Sequence, residues 1–319
     1  MTMHQSVIIN QITFLGILVL VGFIASKIGV IREDTRDQLV RVIFNITLPL
    51  LLVTNFSKLD LSPEILRNSV IVIIISFSVI LIMLLVGLIS SSFFSMKHEQ
   101  RSVFISHHGF GNILYIGFPV VSALFGEMGL FYASIYAFVS IMLLWTVGIY
   151  VITRKGGMPF SQSIKKMVNP NSVAILLGFL LFVLRIKIPK FLLDPFISLG
   201  GTTIYLSMLY IGALLGLMKI KGIFGNPLVY LTTINKNILI PVILIFIFSF
   251  LGNNILADID PLIISVVIVE AAMPCMANVV IVAKIFKVDD HLATSNVFMS
   301  TLFSIISLPL IWWLVNLLM

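Results

Sequence analysis

The sequence predicts an all-α membrane protein of ten transmembrane helices, arranged as two inverted repeats of five. Three observations predict it. The chain of 319 residues is 59% hydrophobic and only 10% charged, with a mean hydropathy of +1.15, whereas soluble domains carry about 25% charged residues. Hydropathy rises in ten stretches, each near the ~20 residues that cross ~30 Å of hydrocarbon. Two of those stretches, half a chain apart, are interrupted by matching clusters of Gly, Asn and Pro.

The first stretch, 7–29, lacks a basic leader and contains Asn10 and Gln11, so it reads as a span and not as a cleaved signal peptide. Spans at 36–56, 66–94, 101–125 and 129–152 complete a first half, 1–153. Composition then shifts over 154–170: Arg154-Lys155-Gly-Gly, Pro159, a short amphipathic run through Lys165 and Lys166, and Asn169-Pro170. This segment reads as a cytoplasmic linker whose interfacial helix turns its lysines toward lipid headgroups. Spans at 171–187, 192–217, 228–251, 261–285 and 290–317 form the second half, 171–319. Five is odd, so similar halves sit in opposite orientation. An offset of 161 sets Phe125-Gly-Glu-Met-Gly-Leu-Phe-Tyr-Ala-Ser against Phe286-Lys-Val-Asp-Asp-His-Leu-Ala-Thr-Ser and brings the two interruptions opposite each other.

The loops orient these spans, because Lys and Arg concentrate on the cytoplasmic side. With both termini outside, the inner loops hold fourteen: Lys27, Arg32, Arg36, Arg41, Lys97, Arg101, Arg154, Lys155, Lys165, Lys166, Lys219, Lys221, Lys284 and Lys287. The outer loops hold five: Lys58, Arg67, Arg185, Lys187 and Lys190. Both termini are therefore expected to be extracellular. The net charge of +7 is a topology signal and calls for no nucleic-acid partner. The single cysteine, Cys275, excludes an internal disulfide and a cysteine-rich metal centre.

The first interruption is Gly109-Phe-Gly111-Asn112-Ile-Leu-Tyr-Ile-Gly117-Phe-Pro119; the second is Glu270-Ala-Ala-Met-Pro274-Cys-Met-Ala-Asn278. Within hydrocarbon, broken backbone is tolerated only where protein or a watery cavity surrounds it. Paired breaks in corresponding positions point to a transporter binding site. Proline suits the first turn of a helix, so Pro119 and Pro274 are expected to start second half-helices. Such starts present free N–H groups and about half a positive charge, which suits anions. Gly111 and Gly117 permit close approach to the backbone, and Asn112 and Asn278 supply neutral amides for a carboxylate. The plainer reading of either span alone is a proline kink with an asparagine bonding a neighbouring helix.

Two ionisable residues lie deep in spans, Lys236 and Glu270. Each is about nine residues from its span start, or ~13–14 Å at 1.5 Å per residue, near the midplane. Intramembrane charges are costly and are expected to pair or to work. One reading is a Glu270–Lys236 ion pair, another a cation or proton site at Glu270. His107 and His108 precede the first break and read equally as packing residues or as a proton relay. Asn45-Ile-Thr47 has the glycosylation pattern but lies inside a span. No nucleophile motif and no metal-ligand spacing is present in the sequence.

Four patterns over nearly the whole length resemble the auxin efflux carrier family, which includes bacterial malate permeases. They are Phe44-Asn-Ile-Thr-Leu-Pro49, Gly111-Asn112-x4-Gly117-Phe-Pro119, Leu199-Gly-Gly-Thr-Thr-Ile through Gly212, and Glu270-Ala-Ala-Met-Pro274-x3-Asn278 followed by Ser300-Thr-Leu and Leu308-Pro309. The resemblance implies a fold like the bile-acid/sodium symporters, with crossed broken helices. It implies a scaffold of spans 1, 2, 6 and 7, and a transport domain of spans 3–5 and 8–10 that shifts like an elevator. It also implies that Asn112 and Asn278 meet the substrate carboxylate, and that the protein is a homodimer. Tyr205 stands where many relatives have proline, and the long cytoplasmic loop of the plant carriers is absent.

The expected function is thus secondary transport of a small organic anion across the cell membrane, with malate the leading candidate. No cofactor is called for, and Glu270 leaves Na+ or H+ coupling open. The alternatives are a sodium- or proton-coupled symporter of a different, auxin-like or bile-acid-like, anion and a membrane receptor. An enzyme is not expected.

Overall fold

A computed structural model describes residues 3–153, 160–218, 223–252 and 258–318. Arg154, Lys155, Lys219 and Lys221 of the inner-loop tally lie outside the described residues, as does 154–159 of the expected linker. The described chain is helical: α1 (Met3–Lys27), α2 (Glu33–Val42), α3 (Leu48–Ser57), α4 (Pro63–Ser92), α5 (His98–Gly109), α6 (Phe118–Leu143), α7 (Ile149–Thr153), α8 (Phe160–Met167), α9 (Pro170–Val183), α10 (Lys190–Leu217), α11 (Pro227–Ile234), α12 (Ile240–Gly252), α13 (Pro261–Ala271), α14 (Ala277–Ile285) and α15 (Asp290–Leu318).

Six apolar helical stretches among the described residues are long enough to cross a bilayer: Glu33–Ser57, Pro63–Ser92, Ile113–Ile152, Lys190–Leu217, Pro227–Leu251 and Asp290–Leu318. Thr13–Lys27, Pro170–Val183 and Pro261–Ala271 are shorter apolar helices. The 40-residue stretch Ile113–Ile152 turns at Gly126, whose φ of 65° and ψ of −150° favour glycine. Which face each helix exposes identifies the solvent. On α9 the exposed large apolar side chains are Val173, Leu176, Leu177 and Leu180; on α4 they are Leu66, Val70, Ile73, Ile74, Phe77, Leu81, Leu85, Leu88 and Ile89. These follow the 3.6-residue period that would bury them in a soluble protein. Apolar stripes facing outward mean that lipid is the solvent. This is a multi-pass membrane protein.

Four π-helical turns lie within the helical spans: Ile43–Thr47, Ile113–Gly117, Leu144–Gly148 and Asn235–Leu239. Proline follows two residues after three of them, at Pro49, Pro119 and Pro241. Proline donates no hydrogen bond, and its ring crowds the carbonyl four residues back. A widened turn just before it moves that carbonyl aside and lets the helix continue.

The chain forms two compact units. One comprises Met1–Val70, Leu114–Phe138 and Val168–Met218; the other comprises Ile71–Ile113, Val139–Met167 and Lys219–Met319. Each unit therefore draws on both halves of the chain. In the first, α1 and α10 touch backbone to backbone. A Cβ at Gly22 or Gly212 would collide with the carbonyl oxygens of Leu209 or Val19, so only glycine permits this approach. Gly200 likewise admits the backbone of Leu51, and Gly178 admits the Phe56 ring. Leu114–Phe138 joins this unit, although the resemblance implied that it moves with spans 3–5. The reason is aromatic packing. Phe131 lies 5.0 Å from Phe56 and 5.5 Å from Phe182, and Asn68 Nδ2 donates to the Tyr132 hydroxyl at 3.2 Å.

In the second unit, α4 and α5 meet through Gly87 and Gly109, which accept His108 and Leu84. Ile149, Ile152 and Val282 form a small buried cluster with Trp145 and Phe286. Lys166, in the last turn of α8, sits 5.7 Å from the Trp145 ring.

Candidate functional site

Both interrupted spans are broken, and their breaks are paired. α5 stops at Gly109, Phe110 is extended (φ −117°, ψ 119°), and helix resumes at Ile113. α13 stops at Ala271, and α14 starts at Ala277. Between them Gly111 faces Cys275 in an antiparallel bridge. The Asn112 N–H donates to the Pro274 carbonyl at 2.7 Å, and the Met276 N–H donates to the Phe110 carbonyl at 3.2 Å. Ser300 on α15 accepts from the Cys275 N–H at 3.0 Å. The Met273 N–H returns to the Glu270 carbonyl at 3.2 Å, and Ile113 N–H to the Gly111 carbonyl at 2.9 Å. Each break thus supplies the partners that the other lost with its helix, as a low-dielectric interior demands.

Glycine at 111 allows a close approach of the two breaks. A Cβ there would lie 3.1 Å from Met273 Cβ and 3.2 Å from its carbonyl oxygen. The half-helix starts differ from expectation. They fall at Ile113 and Ala277, not at Pro119 and Pro274. Pro274 lies in the extended break, where its carbonyl is the acceptor that the bridge needs. Pro119 follows a π-turn inside a helix already six residues under way. Gly117 and Pro119 are buried and belong to the first compact unit, whereas Gly111, Asn112, Pro274, Asn278, Glu270 and Lys236 belong to the second.

Side chains around the bridge are buried and polar. Asn112 is 2% exposed, and its Nδ2 has no hydrogen-bond partner. Asn278 is half-buried in the first turn of α14. Glu270, at the end of α13, is fully buried with both carboxylate oxygens unpartnered. Lys236 is also fully buried, but the expected direct ion pair with Glu270 is not formed. Its ammonium donates to the His108 carbonyl at 3.1 Å. The reason lies in α5: a helix ending at Gly109 leaves its last carbonyls without donors and its negative dipole end exposed, and Lys236 caps it.

The histidines are held by neighbours. His108 Nδ1 is 2.7 Å from the Phe104 carbonyl, which can only accept, so Nδ1 carries the proton. Nε2 then accepts from Asn235 Nδ2 at 3.1 Å. His107 Nδ1 pairs with Asn296 Nδ2 at 3.1 Å. On the far side of the same π-turn, Asn237 Nδ2 donates to the Ser300 carbonyl at 2.8 Å and to the Ser307 hydroxyl at 3.3 Å. Sequence reading passed over Asn235, Asn237 and Asn296. A usable signal was there: Asn235-Lys236-Asn237 are three consecutive strongly polar residues in a mainly apolar span.

A cavity of about 300 Å³ lies elsewhere, within the first unit, lined by Phe56, Leu59, Asp60, Phe182, Arg185 and Lys187 among others. It shares no residue with the bridge, and its Arg185 sits at a positive-φ helix end.

A multi-pass helical membrane protein whose two broken helices satisfy each other's backbone at their breaks has the build of a transporter. The chain belongs to the membrane transport protein family, whose model matches residues 7–312; this is the auxin efflux carrier-like group that the sequence patterns resemble. A transporter of uncharacterised function from Methanocaldococcus jannaschii is 26% identical over 303 residues, covering 93% of this chain and 96% of its own. Another, from Methanothermobacter thermautotrophicus, is 26% identical over 305 residues, covering 92% and 94%.

Proposed function

We propose that this membrane transporter carries a small organic anion, with the carboxylate held at the paired breaks. The observation that carries the reading is the unpartnered Asn112 amide, 2% exposed, beside the antiparallel bridge. A buried donor without an acceptor costs about 1–3 kcal/mol, and a carboxylate would recover it. The helix starts at Ile113 and Ala277 add electropositive N-termini, and Asn278 stands in the first turn of the second. Gly111 and Pro274 shape the backbone around the guest. Malate is the leading substrate, as a small carboxylate that these groups suit.

Ten spans result if α1, α2–α3, α4, α5 with its continuation to Phe125, the remainder to α7, α9, α10, α11–α12, α13–α14 and α15 each cross once. The positive-φ residues support two inverted repeats, 1–153 and 171–319. Gly126 and Lys287 end the fourth span of each half at the offset of 161, and Gly29 and Arg185 end the first at the nearby offset of 156. Each compact unit has its own packing, which supports alternating access by rigid-body movement of elevator type. Both termini would be extracellular in a cell membrane. Glu270, whose two oxygens lack partners, is the candidate for Na+ or H+ coupling.

Counterflow in proteoliposomes tests the reading. Malate and related carboxylates should exchange across the bilayer, and amines of similar size should not. Ligand binding without any exchange would instead favour a receptor.

A further inference from the structure

The π-turn Asn235–Leu239 does something that neither break does for itself. Its first three side chains, all buried, reach two different helices. Asn235 donates to the His108 ring and Lys236 to the His108 carbonyl, both at 3.1 Å, at the end of α5. Asn237 donates to the Ser300 carbonyl at 2.8 Å, and the Ser300 hydroxyl in turn accepts from Cys275 in the second break at 3.0 Å. Residues two apart in a helical turn point to nearly opposite sides, so one turn can grip α5 on one side and α15 on the other. α5 leads directly into the first break, from Gly109 to Asn112. Ser300 fixes the second.

We infer that Asn235, Lys236 and Asn237 are positioning residues: a clamp that sets the register of the two breaks and so tunes anion affinity without touching the anion. The tuning rests on the anion-site reading above. The gripping of the breaks does not. The two bridge hydrogen bonds, 2.7 and 3.2 Å, leave the breaks free to slide or twist about a single short bridge. Contacts from a third element remove that freedom. Amide donors suit the task because a neutral side chain holds a carbonyl or an imidazole without adding a charge to the hydrocarbon. A widened turn suits it too, since such turns cluster where a helix is bent to a purpose.

The chain's only cysteine makes the test direct. Cys275 is fully buried in the second break, so thiol labelling of the otherwise unmodified protein reports on that break alone. Asn237→Ala and Asn235→Ala, purified in detergent and monodisperse by gel filtration, should label with a small methanethiosulfonate at least tenfold faster than wild type. Their affinity for malate should weaken about five- to tenfold, the equivalent of one net hydrogen bond. Asn316→Ala, which removes an exposed bond to the carbonyl of its own helix, should change neither. Unchanged labelling in both clamp variants overturns the proposal, as does faster labelling with unaltered malate affinity. Should wild type bind neither malate nor any related carboxylate, the anion reading fails by itself; labelling then decides the clamp, acceleration upholding it and constancy refuting it. If Asn237→Ala does not fold, Asn235→Ala carries the same comparison.

Discussion

Replacing Ser300 with alanine deletes one oxygen and leaves the Cys275 N–H without the acceptor it has at 3.0 Å. The lost donation to the Asn296 carbonyl, 2.6 Å away in the same helix, matters little, because that carbonyl belongs to the helical ladder. The cost is therefore that of one buried, unsatisfied backbone donor, about 1–3 kcal/mol. Ser304 provides the control. It is buried on the same helix, but its hydroxyl donates at 2.7 Å only to Thr301 of its own turn, so Ser304→Ala should cost a few tenths. At about 2–4 °C per kcal/mol, a loss of ~2 kcal/mol lowers the thermal midpoint in detergent by about 4–8 °C for Ser300→Ala. Ser304→Ala should move it by about 1 °C. Equal midpoints for the two variants would refute the claim that Ser300 holds the break.

Three further outcomes follow from the packing and the buried charges. Gly212→Ala drives a methyl into the Val19 carbonyl and should separate α1 from α10, costing several kcal/mol and most of the monodisperse protein on gel filtration. Lys287, a non-glycine residue at φ 52° where α14 ends, should tolerate Lys287→Gly with a gain of up to about 1 kcal/mol, read as a higher thermal midpoint. If Glu270 carries the coupling ion, Glu270→Gln should abolish the sodium or pH dependence of proteoliposome uptake; dependence identical to wild type removes Glu270 from that role.

The breaks were legible because bilayer physics makes them so: Gly111, Asn112 and Pro274 have no good reason to interrupt apolar spans unless the backbone changes course there. The half-helices restart at Ile113 and Ala277, away from the prolines that commonly open a helix. Pro119 follows a π-turn, and nothing in an apolar run announces an i→i+5 bond. Depth along a helix follows from counting residues, so Lys236 and Glu270 could both be put near the midplane. Which neighbour each faces depends on helix rotation and packing, and there the His108 carbonyl took the place of Glu270 as the lysine's partner. Asn235 and Asn237 escaped notice for a related reason: a polar side chain acquires its purpose only when its partners arrive from helices more than sixty residues away.

The central claim is that a carboxylate is bound where the two breaks meet, and Asn112 tests it most directly. Binding of malate, or of whichever carboxylate gives the strongest counterflow, should be measured on wild type, Asn112→Ala and Asn278→Ala at matched thermal midpoints. The expected result is affinity weakened about tenfold or more by Asn112→Ala, the loss of a hydrogen bond to a charged group at ~1.5–3 kcal/mol. Wild-type affinity and flux in Asn112→Ala would contradict it.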